Sequence, residues 1–134
     1  MISTLLSSGL VWDVEKGVPG ECQDKAWQTC TCLGNWHYDT SCYVDNWYKS
    51  ASTVIHMLVD IVSKNGNMLL SVPIKGDGSI DDKEEKILED IAAWMDVNKE
   101  GIFDTRPWVV YGEGPSTENS APLDGFAAGA PCYC

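Results

Sequence analysis

Residues 58–74 read LVDIVSKNGNMLLSVPI, and the stretch divides at the Asn-Gly-Asn in its middle. Its first half completes a helical pattern, because Val54, Ile55, Leu58, Val59 and Val62 recur at intervals of three and four. Ser50 stands where it can cap the start and Gly66 where it can follow the end, so a helix over 50–64 is predicted. The second half, NMLLSVPI, is a continuous apolar run of strand length. Such a run is the pattern of a parallel strand covered on both faces, here over 68–72.

Downstream, Gly76-Asp77-Gly78 marks a turn. The segment DDKEEKILEDIAAWMDVN then puts Ile87, Leu88, Ile91, Trp94 and Met95 on one face, predicting a second helix over 82–98 with those residues in the core. Asp81 is its expected N-cap, and the run DDKEEK is a solvated first turn whose acids the helix dipole favours. A short strand is expected near Trp108–Tyr111. Upstream, Ser8–Val14 (SGLVWDV) ends in charge and then in Gly17 and Pro19, a strand running into a loop with Asp13 and Glu15 at its C-terminal end. Between Gly20 and Trp47 periodicity is poor, apart from a strand over Thr29–Leu33. The rhythm of short strands and helices is that of an α/β fold with a parallel sheet. A closed (β/α)₈ barrel takes about 250 residues, so three or four strands imply part of a larger unit. The segment TENSAPLDGFAAGAPCYC, 117–134, lacks periodicity and is expected to be disordered or foreign.

Composition excludes some partners. Twenty acidic residues against nine basic ones give a formal charge of −11, with no basic stripe, so a nucleic acid would be repelled. The apolar runs are shorter than the ~20 residues that span a bilayer. The stretch MISTLLSSGLVW has no basic residue before it and no small-residue cleavage site after it, so it reads poorly as a signal peptide. At 134 residues a single domain is expected.

The chemistry-bearing stretch is WQTCTCLGNWHY, 27–38. A zinc reading fails on spacing, since Cys30-x-Cys32 with His37 is not a finger pattern. Six cysteines (Cys22, Cys30, Cys32, Cys42, Cys132, Cys134) permit disulfides. Residues i and i+2 of a strand point the same way and do not bridge each other, which leaves Cys22 or Cys42 as a partner for either. The third reading makes Cys30 and Cys32 small buried strand side chains and Gly34–Tyr38 the loop that follows. His56 is expected to be an ordinary helical histidine.

The order W-Q-T (27–29), G-N-W-H-Y (34–38), YKSA (48–51), LVDIVSKNGNMLLSVP (58–73), GDGSI (76–80) and VNKEGIFDTRPW (97–108) resembles the C-terminal part of the catalytic barrel of α-L-fucosidases, glycoside hydrolase family 29. The family's segments read W-E-T, W-G-Y, LVD-VSK-GN-LLLN-GP, DG-I and NGEAIYGTRPW. The likeness runs from about Val11 to about Pro115 and ends there. Gln28 stands for the glutamate of W-E-T, Ser71 for the asparagine of LLLN, and Asn98–Asp104 (NKEGIFD) for NGEAIYG. These departures read as relaxed constraint or as sequence error.

The resemblance implies the last strands and helices only of a partial (β/α)₈ TIM-like barrel over residues 1–115, with 116–134 an unmatched tail. It implies a fragment of a retaining α-L-fucosidase, acting on fucosylated glycans or fucosides, with no cofactor and no metal. Retaining hydrolysis uses two carboxyl groups ~5 Å apart, one nucleophile and one acid/base. In the family the nucleophilic Asp and the fucose-binding histidines lie upstream and have no counterpart here, so the isolated chain is expected to be inactive. Glu15 is the leading candidate for the general acid, its alternative being an ordinary solvated residue of DVEKG; Glu21, Asp39 and Asp45 are further candidates. Trp36 and Tyr38 would wall the apolar face of a deoxy sugar and His37 would bind a hydroxyl, the alternative being aromatics that simply pack the loop. The competing function is a non-catalytic degenerate fragment or a small carbohydrate-binding piece.

Overall fold

A computed structural model describes residues 11–15 and 17–113. Three strands and three helices follow one another as β1 (Trp12–Glu15), β2 (Trp27–Cys32), α1 (Thr40–Asp45), α2 (Ala51–Ser63), β3 (Gly66–Ser71) and α3 (Asp82–Asn98), closed by a 3₁₀ turn at Lys99–Gly101. The sheet order is β1-β2-β3 and both pairings are parallel. The expected α/β class with a parallel sheet is therefore present.

Paired residues of parallel strands share a face, so the register sorts the side chains. Trp12 and Val14 line up with Trp27 and Thr29, and Trp27, Thr29 and Thr31 with Gly66, Met68 and Leu70. This face is covered by helix: Gly66 packs against Ile61 of α2, and the β2 residues on it are all buried. The opposite face carries Asp13, Glu15, Gln28, Cys30, Cys32, Asn67, Leu69 and Ser71. No described helix covers it, and Leu69 is 57% exposed. The expectation that β3 is buried on both faces is thus corrected. Among the described residues β3 has β2 as its one strand neighbour, and its apolar run meets α2 on one side.

The two long helices form where the periodicity puts them. Ser50 caps α2 by accepting from the Thr53 amide, and Asp81 caps α3 by accepting from the amides of Lys83 and Glu84. Gly66, however, is not the cap residue of α2. Asn65 takes the left-handed conformation at φ 69°, and Gly66 begins β3, where a Cβ would stand 2.4 Å from the Trp27 ring. Trp27 is fully buried and its indole donates to the Lys64 carbonyl at 2.9 Å. The stretch 20–47 also holds α1, whose six residues are too few to show a period; Asp39 caps its start and Asn46, at φ 58°, closes it.

Around Trp108–Tyr111 the expected strand is absent, and the backbone is irregular. The segment pairs with none of the described strands, and Trp108 is 75% exposed. Tyr111 instead lies under the Lys64 ammonium, 5.0 Å from its ring centre. Cys22 and Cys30 are free thiols. Residues 8–10 of the expected first strand, and the tail 116–134, lie outside the described residues. Among the described residues no helix is long and apolar enough to cross a membrane.

One buried group is at odds with its surroundings. Glu84, in the first turn of α3, is fully buried, and its carboxylate oxygens are poorly satisfied, the Asp81 backbone amide alone among the described residues acting on them as a donor. Burial pushes its carboxyl above the usual range, outweighing the Asp81 amide that acts the other way, and the Asp81 carboxylate adds to the rise. The native state then holds its proton to higher pH than the unfolded chain does. Stability accordingly falls as pH climbs from the unfolded carboxyl range through the raised folded value. Glu84→Gln should remove this slope: the unfolding midpoint in denaturant should rise at pH 7–8, by on the order of 1 kcal/mol, and match the parent at pH 4. Gly66→Ala should destabilise by about 1–3 kcal/mol, because the new methyl group overpacks the Trp27 contact, and thermal unfolding would measure the loss.

Candidate functional site

Parallel strands deliver all their C-terminal ends to one edge of the sheet, and in α/β folds that edge carries the chemistry. Here it is formed by Glu15, Cys32 and Ser71, the last residues of the three strands. Above it rises the excursion 33–49 between β2 and α2. Its base is closed by three hydrogen bonds: the Leu33 amide to the Ser71 carbonyl (3.1 Å), the Lys49 amide to the Leu33 carbonyl (2.8 Å) and the buried Lys49 ammonium to the Cys32 carbonyl (2.7 Å). Gly34 lies against the Tyr48 ring, where a Cβ would come within 2.9 Å.

Trp36 and His37 are exposed on this excursion, and the Trp36 amide donates to the Asn35 side chain at 2.8 Å. Tyr38 is half-buried and turned the other way. Its hydroxyl faces Asp81, and partial burial followed by the Asp81 and Glu84 carboxylates raises its ionisation above the ordinary phenol value. Trp36 and His37 therefore stand together, while Tyr38 joins a separate group.

Glu15 is exposed at the end of β1, opposite Cys30 in register on the uncovered face. Asp13 lies two residues before it on the same face and accepts from the Gln28 amide nitrogen at 3.4 Å. On the described strands these are the carboxylates of that face. The other candidate acids are placed differently. Asp39 is committed to α1, accepting from the Ser41 amide (2.9 Å) and hydroxyl (2.7 Å), and those bonds hold its carboxyl below the usual range. Glu21 is exposed in the connection from β1 to β2, and Asp45 is exposed at the end of α1. His56 is exposed on α2. Among the described residues no three His, Cys, Asp or Glu side chains gather as a metal site would require.

Sequence reasoning passed over the group that supports the excursion. The Tyr48 hydroxyl donates to Asp81 at 2.5 Å, and the Lys83 ammonium donates to the Tyr43 carbonyl at 2.6 Å while lying 4.5 Å from that ring. Asp81 was legible as a cap; its second oxygen, turned to a residue 33 positions away, had no sequence signal. A cavity of about 280 Å³ lies at the other end of the sheet, between the end of α2 and residues 101–111, and shares no residue with the rim.

Comparison with known proteins bears on this arrangement. The Alpha-L-fucosidase family model matches residues 3–100. The bovine tissue alpha-L-fucosidase is 32% identical over 101 residues, covering 74% of this chain and 21% of the relative. Among solved structures, alpha-L-fucosidase isoenzyme 1 from Paenibacillus thiaminolyticus is similar at a TM-score of 0.67 and 30% identity over 73% of this chain and 24% of that one. The Thermotoga maritima alpha-fucosidase in complex with fucose gives a TM-score of 0.60 and 28% identity over 68% of this chain and 21% of that one. The chain thus spans about a fifth of the length of the curated relatives it matches. A match that runs from ahead of β1 to the end of α3, with the same elements in space, leaves one assignment: the chain belongs to the alpha-L-fucosidase family.

Proposed function

We propose that the chain supplies the last strands and helices of a (β/α)₈ barrel in a retaining α-L-fucosidase, and that it acts on terminal α-L-fucosyl residues of glycans or fucosides. The observation that carries the reading is the uncovered sheet face. It bears carboxylates at Asp13 and Glu15 and ends at a rim with an exposed tryptophan and histidine. In a closed barrel this face is the interior and its C-terminal end the active site. Glu15 is the proton donor in this reading, since Asp13 is engaged by Gln28. Trp36 offers an apolar wall for the sugar's C–H face and His37 is a hydroxyl partner, while Tyr38, expected in the wall, turns to Asp81. The nucleophile comes from a strand outside this chain, so the isolated chain turns over no fucoside.

A second reading, a non-catalytic sugar-binding piece, draws support from where the departures fall. Gln28 and Ser71, which stand for Glu and Asn in the family's segments, lie on the same uncovered face. An amide cannot deliver a proton as a carboxylic acid does.

Leaving-group dependence separates the two readings. In the full-length protein Glu15→Ala should slow hydrolysis about 10²–10⁴-fold for fucosides with poor leaving groups and far less for activated aryl fucosides, with azide restoring part of the deglycosylation rate. Indifference to the leaving group would move the acid to another residue, and a full-length protein that binds fucose without turnover would establish the second reading. Trp36→Ala should weaken fucose binding by about 0.5–1.5 kcal/mol, measured by titration calorimetry, under either reading.

A further inference from the structure

The excursion 33–49 is fastened at its base by Leu33 and Lys49, but the part that carries Trp36 and His37 lies beyond those bonds. Beside the Cys32 thiol, which donates to the Gly34 carbonyl at 3.3 Å, further ties come from the start of α3. Asp81 uses one oxygen to cap α3, accepting from the amides of Lys83 (2.9 Å) and Glu84 (2.8 Å). Its other oxygen accepts from the Tyr48 hydroxyl at 2.5 Å. The Tyr48 ring in turn is the surface against which Gly34 is pressed, two residues before Trp36. The next residue of α3, Asp82, faces the Tyr43 hydroxyl, and Lys83 grips the same tyrosine through its carbonyl and its ring. Three consecutive residues at the start of α3 thus reach three tyrosines of the excursion, since the Tyr38 hydroxyl also faces Asp81.

We propose that Asp81-Asp82-Lys83 is a positioning clamp, and that Asp81, through Tyr48, sets the height and angle at which Trp36 and His37 stand over the rim. The supporting chemistry is strong for its size. Asp81 is buried and accepts from the Tyr48 hydroxyl and from the Lys83 and Glu84 amides, with the Tyr38 hydroxyl facing it as well, so several donors converge on one carboxyl group. Tyr48 is held well above the ordinary phenol value by burial and by Asp81, so its proton stays in the bond at every physiological pH. Glutamate or alanine at 81 would lose the second contact, whereas a cap alone requires only a short oxygen-bearing side chain. The clamp is a local geometric relation, and only its consequence for sugar affinity rests on the fucosidase reading.

Two substitutions isolate it in the full-length protein. Tyr48→Phe keeps the ring under Gly34 and leaves the α3 cap intact. Asp81→Asn keeps the cap, since asparagine caps as well as aspartate, and weakens the phenol bond. In both, hydrogen exchange at the hydrogen-bonded amides of Cys42, Trp47 and Lys49 should accelerate about tenfold, while the Val54 amide of α2 and the amides of β2 keep their rates. The dissociation constant for L-fucose should rise about three- to tenfold with kcat for an activated aryl fucoside little changed, a split that general destabilisation would not give. Unchanged exchange at Cys42, Trp47 and Lys49 in both variants, or equal acceleration throughout α2 and β2, would overturn the clamp. A parent protein that binds no fucose would retire the fucosidase reading and leave the exchange result to decide the clamp by itself.

Discussion

Everything in this structure hangs from the contact between Trp27 and the backbone of Lys64–Gly66. An indole buried at the start of the central strand can lie so close to a neighbouring strand only if that strand begins with a residue lacking a side chain, and Gly66 supplies it. The same turn gathers hydrogen bonds from the connection that leads into β2. The Lys64 carbonyl accepts from the Trp27 indole and the Gln23 amide, and the Asn65 side chain donates to the Gln23 carbonyl. The turn joining α2 to β3 is thereby fixed to the start of β2. With that end fixed, parallel pairing sets the register of all three strands.

The two ends of the sheet are built by different means. At the N-terminal end the Trp27 and Ile61 contacts on Gly66 combine with backbone hydrogen bonds of the 64–66 turn, and the buried Lys64 is neutralised by Asp60 at 2.8 Å and covered by the Tyr111 ring. At the C-terminal end the fastenings are polar: Lys49 on the Cys32 carbonyl, Tyr48 on Asp81, Lys83 on Tyr43. Polar ties define direction, whereas apolar contacts define mainly distance.

The uncovered face explains why so acidic a chain tolerates carboxylates on a sheet. Asp13 and Glu15 are exposed there and keep their hydration. Enclosed by further strands, the same groups would lose water and gain the low-dielectric surroundings in which a carboxyl can be tuned toward proton donation. The buried Glu84 shows on this chain what such enclosure does to a glutamate. Its place at the start of α3, beside the Asp81 network, puts the least comfortable buried group of the described structure under the same rim.

The sequence by itself determined the α/β class, the two long helices and their capping residues Ser50 and Asp81. Those features are written in local periodicity and in short-range hydrogen bonds, which neighbouring residues specify between them. The family, too, was legible, because its motifs persist in order along the chain. The tertiary structure alone decided that Gly66 serves a close approach and not a helix end, that β3 has one covered face, that Trp108–Tyr111 forms no strand, and that Tyr38 turns toward Asp81 while Trp36 and His37 face outward. Each of these depends on a partner dozens of residues away. A strand's second face, a glycine's neighbour and a carboxylate's second oxygen are properties of what packs beside them, and a run of adjacent residues carries no record of that.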